Sequence, residues 1–182
     1  MQTIGFSLYM EMLDEAVTAI REGRTPDFDQ TESAHAEVDL KIPALIPNDY
    51  LNDVPLRLEL YKRISSASSD DSLSEIEIEM IDRFGLLPSQ VKNLFLQARV
   101  RLAAESLGIK QITLGSQSGR IEFRETTKVD PMVLISLVQS KPQEYKLDGA
   151  TALKIIRETV GSEARLGFVN EVLDALKRPA TA

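Results

Sequence analysis

The sequence contains no cysteine and a single histidine, His35. Disulfides, thiolate chemistry and any zinc site built from cysteine and histidine are therefore excluded. No apolar run approaches the roughly 20 residues needed to span a bilayer. The N-terminus lacks the basic-then-apolar order of a secretory signal. Together these absences lead one to expect a cytoplasmic chain in a reducing compartment with no membrane partner. The motifs that hold nucleotide phosphates, G-x-x-x-x-G-K-[ST] and G-x-G-x-x-G, are missing, as are G-x-S-x-G and H-E-x-x-H. The lone histidine lies in a polar stretch next to no carboxylate pair at ligand spacing, so a surface or packing role is expected of it.

What is present is an ordinary globular composition: 182 residues, 43% hydrophobic and 27% charged, enough for one well-buried core plus an appendage. The net charge of -7 is unevenly spread. Residues 29–82 carry 13 acids and 4 bases, whereas residues 83–182 carry 10 acids and 15 bases. An acidic half beside a mildly basic half argues against a dedicated phosphate-backbone binder and for a basic partner surface, or simply for solubility.

In chain order, residues 6–22 place Leu8, Met12, Ala16, Ala19 and Ile20 at helical spacing, ended by Gly23. The polar, aperiodic stretch that follows reads as a linker over 26–34, so the first helix is expected to belong to a preceding unit at 1–25. Val38, Leu40 and Ile42 alternate with Glu37, Asp39 and Lys41 as in a half-buried strand, and Pro43 fits only an edge or a strand end. Three helical segments follow: one capped at Asn52 or Asp53 with Pro55 in its first turn, one after the serine-rich 65–72, and a long one from Ser89 stopped by Gly108. Hairpins are predicted around Ser116–Gly119 and around Asp148–Gly149. Between them lies a short helix capped by Asp130, and an amphipathic helix closes the chain. Helices first and hairpins after predict an α+β fold, several helices on a small, mostly antiparallel sheet, with 35–180 as its domain.

The stretch Glu75–Pro88, EIEIEMIDRFGLLP, stands out. As a helix ending at Gly85 it puts Leu73, Ile76, Met80 and Phe84 on one side, with Ile78 and Ile81 widening that arc, and Glu75, Glu79 and Asp82 on the other. Arg83 sits at the shoulder of the acidic row, four residues from Glu79. Gly85 and Pro88 then make a tight corner into the next helix. Carboxylates sharing a helix face could serve acid/base or divalent-metal chemistry, but no second acidic element or histidine completes such a shell. Two readings stand: a solvated face with an ordinary Glu79–Arg83 pair, or a row that docks onto a partner's arginines. Glu77 falls inside the apolar arc without explanation. Lys92, Arg99 and Arg101 on the long helix could suggest nucleic acid, but lacking interleaved aromatics they read better as a mixed-charge surface.

Several stretches together resemble one family: GFSLYMEML at Gly5–Leu13, PALIPNDYLNDVPLRLELYKRI at Pro43–Ile64, EIEMIDRFGLLP at Glu77–Pro88, and LGIKQI, IEF and YKLDG beyond. The family is the bacterial transcription-repair coupling factors (Mfd), and the resemblance covers essentially the whole chain, matching their C-terminal region. It implies that residues 1–25 end the ATP-driven translocase module and that the remainder is a small terminal regulatory domain. ATP and magnesium would then belong to the parent's motor, and this chain would be non-catalytic, with no cofactor of its own.

The resemblance further implies an autoinhibitory clamp. The domain would pack on the N-terminal UvrB-like module of the same protein and hide the surface that UvrA must reach, releasing it when RNA polymerase is engaged. Its contact residues, carried onto this sequence, are Glu79, Asp82 and Arg83, with Glu75 on the same row. The alternative is a DNA- or polymerase-contacting accessory of the translocase; direct nucleic-acid contact is otherwise not expected.

Overall fold

The computed structural model describes residues 35–178 together with Val17 and Arg21, both helical. The helix expected over 6–22, apart from those two positions, and the linker over 26–34 lie outside the described residues. The described part runs β1 (Glu37–Asp39), α1 (Val54–Ser66), α2 (Asp70–Phe84), α3 (Ser89–Ser106), β2 (Ile109–Leu114), β3 (Ser118–Phe123), α4 (Pro131–Ser140), β4 (Tyr145–Leu147), β5 (Ala152–Ile156) and α5 (Gly161–Lys177). The strands form one sheet ordered β1-β2-β3-β5-β4, antiparallel except for the β1–β2 pair. The fold is α+β, as the order of helices and hairpins predicts. Among the described residues no helix is long and apolar enough to cross a membrane.

Local chemistry sets the element boundaries. Asp53 accepts the Leu56 amide at 2.8 Å to cap α1, and Asp130 accepts that of Met132 at 2.9 Å to cap α4, each with a proline in the first turn. The serine-rich stretch is a cap: Ser69 and Ser72 form a reciprocal capping box at the start of α2. Gly108, at φ +70, stops α3, and a Cβ there would lie 2.7 Å from the Thr127 Cα. Glycine is thus required both by conformation and by close approach.

Two apolar clusters share α3. Its first half buries Val91, Leu94, Phe95 and Ala98 against α1 and α2, with Leu60, Ile64, Leu73, Ile76 and Met80. Its second half turns Val100 and Ala104 toward the sheet, whose inner face (Ile112, Leu114, Ile121, Leu153, Ile155) also packs on α4 and α5. At the seam sits Arg101, 3% exposed. Its guanidinium donates to the Ala67 carbonyl at 2.7 Å and to Glu105 at 2.9 Å. Glu105 also accepts the Ala36 amide at 3.1 Å and lies 3.0 Å from His35 Nδ1. This corrects the expectation that Arg101 belongs to a mixed-charge surface: it is an internal tie between the cores, and His35 packs against it.

A second buried guanidinium, Arg165 on α5, donates to the carbonyls of Leu40 at 2.9 Å and Lys41 at 2.8 Å, and to Thr159. It secures the end of β1, where Lys41 takes a positive φ of 52 and the backbone must turn away before Pro43.

Candidate docking ridge on the second helix

The α2 helix is held from beneath and from both sides. Beneath, Leu73, Ile76 and Met80 are buried, each contributing about 1.5–3 kcal/mol relative to an exposed side chain. On one flank Arg63 of α1 donates to Glu79 at 2.6 Å, and Arg83, one turn on, donates to the other oxygen of the same carboxylate at 2.7 Å. On the opposite flank Arg99 of α3 donates to Asp70, to Glu77 at 3.0 Å and to Ser74 at 3.3 Å. Glu77, unexplained by helical periodicity, is therefore the carboxylate that receives Arg99, and Arg99 is a helix-to-helix tie between α3 and α2. Of the three bases on α3, Lys92 alone is exposed.

Between these flanks runs a ridge. At about 100° per residue, Ile78, Asp71, Asp82 and Glu75 fall within about 60° of one another, opposite the buried side. All four are exposed. Among the described residues neither Glu75 nor Asp82 has an ion-pair partner, in contrast to Glu79. Ile78 and Ile81, expected to widen the buried arc, are instead 59% and 37% exposed. The correction has a simple cause: α1 and α3 already cover the arc from Ile76 to Phe84, leaving no third element above Ile78.

The corner at the end of α2 is equally fixed. The Gly85 amide donates to the Ile81 carbonyl at 2.9 Å with φ +89, and Tyr50 donates its hydroxyl to the Gly85 carbonyl at 2.9 Å. Tyr50 packs edge-to-face on Phe84 with ring centroids 6.2 Å apart, and the Arg83 guanidinium covers the Phe84 ring at 4.9 Å. The two leucines that follow diverge. Leu87 is buried, whereas Leu86 is 88% exposed, the most exposed large apolar side chain among the described residues. Pro88 is the extended residue just ahead of α3.

The electrostatics separate the expected site residues into two kinds. Hydrogen bonds from Arg63 first, then from Arg83, pull the Glu79 carboxyl down to about 2. Glu79 is already satisfied and works by aiming Arg83. Asp82 sits in the last turn of α2, where the helix macrodipole is negative and a carboxylate is disfavoured by about 0.3–1 kcal/mol. Sequence reasoning missed Arg63, Tyr50 and the exposed Ile78 and Leu86; a GLLP corner carrying two leucines was the available signal for the last. Among the described residues no group of three or more His, Cys, Asp or Glu is placed to hold a metal ion. The cavity between the two cores, lined by Ile64, Leu94, Ala98 and Arg101, encloses about 30 Å³, room for a water molecule rather than a substrate.

Comparison with known proteins gives this geometry a family. The family model described as the TRCF domain matches residues 40–134, more than half of the chain and all of α1, α2 and α3. The chain belongs to the TRCF domain family. It is similar to the transcription-repair-coupling factor of Escherichia coli, 44% identical over 182 residues, which is all of this chain and 16% of that protein. The Bacillus subtilis transcription-repair-coupling factor is 31% identical over 178 residues, 96% of this chain and 15% of that protein. This member of the TRCF family thus spans about a sixth of the length of the relatives it matches. A crystal structure of the C-terminal domain of a transcription-repair coupling factor superposes with a TM-score of 0.61 at 21% identity, over 79% of this chain and 94% of that one. At that identity the likeness establishes the shared TRCF fold.

Proposed function

We propose that this chain is the C-terminal regulatory portion of a transcription-coupled repair protein and acts as a non-catalytic, autoinhibitory docking domain. Residues 35–180 form the regulatory domain in this reading, and residues 1–25 end the translocase module whose ATP and magnesium chemistry lies elsewhere in the parent. The α2 ridge docks on the parent's UvrB-like module and covers the surface sought by UvrA until engagement with RNA polymerase releases it.

The observation that carries the reading is Asp82: an unpaired carboxylate at the disfavoured end of a helix, between the exposed Ile78 and Leu86. Stability alone would select against that arrangement, whereas an arginine-bearing partner with an apolar hollow would use all three groups. Within this surface Asp82 and Glu75 receive the partner's guanidinium groups, Glu79 orients Arg83, and Leu86 with Ile78 supplies the apolar anchor.

Tethering makes weak docking sufficient. In this reading both modules belong to one chain, so docking is intramolecular, and about 3 kcal/mol in favour of the docked form hides the site about 99% of the time. The test is binding of this chain to the isolated UvrB-like module. Asp82→Lys with Glu75→Lys, and separately Leu86→Ser, are each expected to weaken binding at least tenfold, while deletion of residues 32–182 from the parent raises UvrA affinity. Unchanged binding by both variants rejects the ridge; unchanged UvrA affinity rejects masking.

A further inference from the structure

The sheet carries its helices on one face, and the register of its strands assembles a row of cations on the other. Arg120 on β3 lies directly opposite Lys154 on β5, which lies directly opposite Lys146 on β4. All three are exposed. Directly opposed residues share a face on strands about 4.8 Å apart, and like charges in that position destabilise a sheet. The row continues through Thr113 on β2 to Asp39 on β1. Compensation inside the molecule is partial: Glu122, two residues along β3 on the same face, is taken by Lys110. Arg120 reaches Asp148, and Asp39 is taken by Lys41. Among the described residues neither Lys146 nor Lys154 has a carboxylate within ion-pair distance.

A lysine on an edge strand has an ordinary use, deterring strand-to-strand aggregation. That accounts for Lys146 on β4. It does not account for Lys154 and Arg120, which stand on interior strands where the edge is already covered. We propose that this row is a contact for the phosphate backbone of nucleic acid.

Three features favour a phosphodiester chain. The cations project from the sheet face opposite the helices, and two are lysines, compact point charges suited to phosphate oxygens. Hydroxyls of Thr113 and Ser118 stand on the same face as further donors. The outward positions of these strands hold no aromatic side chain, so the contact positions a strand without reading bases. The charge is also local: the half of the chain containing the row carries 15 bases against 10 acids. This surface is separate from the α2 ridge and does not depend on the docking reading.

The experiment is fluorescence anisotropy of the 182-residue chain with two labelled 20-base-pair duplexes of unrelated sequence, between 25 and 200 mM NaCl. Both duplexes are expected to bind equally, with log K falling against log salt at a slope of about -2 to -3, the value for two or three phosphates at about 0.9 each. Arg120→Gln with Lys146→Gln and Lys154→Gln should weaken binding at least tenfold at 25 mM. Lys92→Gln on α3 should leave it unchanged. An unaltered urea midpoint in the triple variant shows that the loss is not unfolding. No binding at 25 mM, binding indifferent to the triple change, or polyglutamate displacing the DNA at equal charge concentration would each overturn the proposal, the last by assigning the row to an acidic protein.

Discussion

Replacing Glu79 by glutamine and, separately, Asp82 by asparagine tests whether the acidic residues of α2 divide as the geometry says. Glu79 is bracketed by Arg63 and Arg83 at 2.6 and 2.7 Å. The drop of its carboxyl from 4.5 to about 2 would formally correspond to about 3 kcal/mol. About a third of the Glu79 side chain is in solvent, however, and screening reduces each such pair to about 0.2–1 kcal/mol, with the i,i+4 pair at about 0.3–0.5. Glu79→Gln should therefore cost about 1 kcal/mol at pH 7 and low salt, read as a lower urea midpoint. Its folded-state value lies below the unfolded one, so the carboxylate contributes fully above about pH 4.5, and the contribution is lost as pH falls toward 2. The deficit of the variant should accordingly vanish across that window, and shrink in 1 M NaCl. Asp82→Asn relieves an unfavourable dipole contact and should raise stability by about 0.3–0.5 kcal/mol while weakening docking. If Asp82→Asn destabilises as much as Glu79→Gln, or Glu79→Gln is silent at every pH, the division between an internally spent and an available carboxylate is wrong.

Other outcomes follow from the seam, the corners and the buried phenol. Arg101→Ala strips a buried guanidinium from Glu105 and the Ala67 carbonyl and should cost about 3–5 kcal/mol in urea unfolding; a loss below about 1 kcal/mol would mean that the two cores do not rely on it. Gly108→Ala meets both a left-handed backbone and the Thr127 Cα at 2.7 Å, whereas Gly85→Ala meets the backbone cost with nothing within 4 Å. Thermal melts should show the first losing about 1–3 kcal/mol more than the second. Burial first, then the nearby carboxylates Glu144 and Glu171, push the Tyr145 phenol to about 12. Ultraviolet titration should find it ionising about two units after an ordinary tyrosine, with stability falling as pH rises from about 10 to 12, because the unfolded chain loses that proton first. Loss of the late step in Tyr145→Phe identifies the group.

Much of the fold was legible because local signals agreed. Asp53 and Asp130 cap the helices that follow them and Gly149 lies in its hairpin turn, whereas the first hairpin turns at 115–117, with Gly119 already inside β3. Periodicity failed where the answer lay on another element. Helical spacing places Ile78 with the apolar residues, but burial depends on what covers that azimuth, and α1 and α3 stop short of it. Glu77 read as an anomaly because its partner, Arg99, is 22 residues away. The composition of α3 could not distinguish Arg101, buried at a seam, from a solvent-facing arginine. The cation row was invisible because Arg120, Lys146 and Lys154 become neighbours only through strand register. The acidic row, by contrast, was readable as a set; its division into Glu79, already engaged, and Glu75 and Asp82, still available, needed the position of Arg63.

The parallel pairing of β1 with β2 joins Glu37 to Gln111, so everything between them, the three helices and the ridge they support, is one large loop closed by a three-residue strand. On a ribosome the chain is made in that order. The residues that α1, α2 and the first half of α3 need to bury their apolar faces are all synthesised before Ile109 exists, while β1 waits for its neighbour. Closing so long a loop costs little more entropy than closing a shorter one, yet slows the search for the closing contact. The α2 ridge can therefore mature first, and the sheet that completes the domain, with Arg165 from α5 fastening the end of β1, acts as a latch applied afterwards.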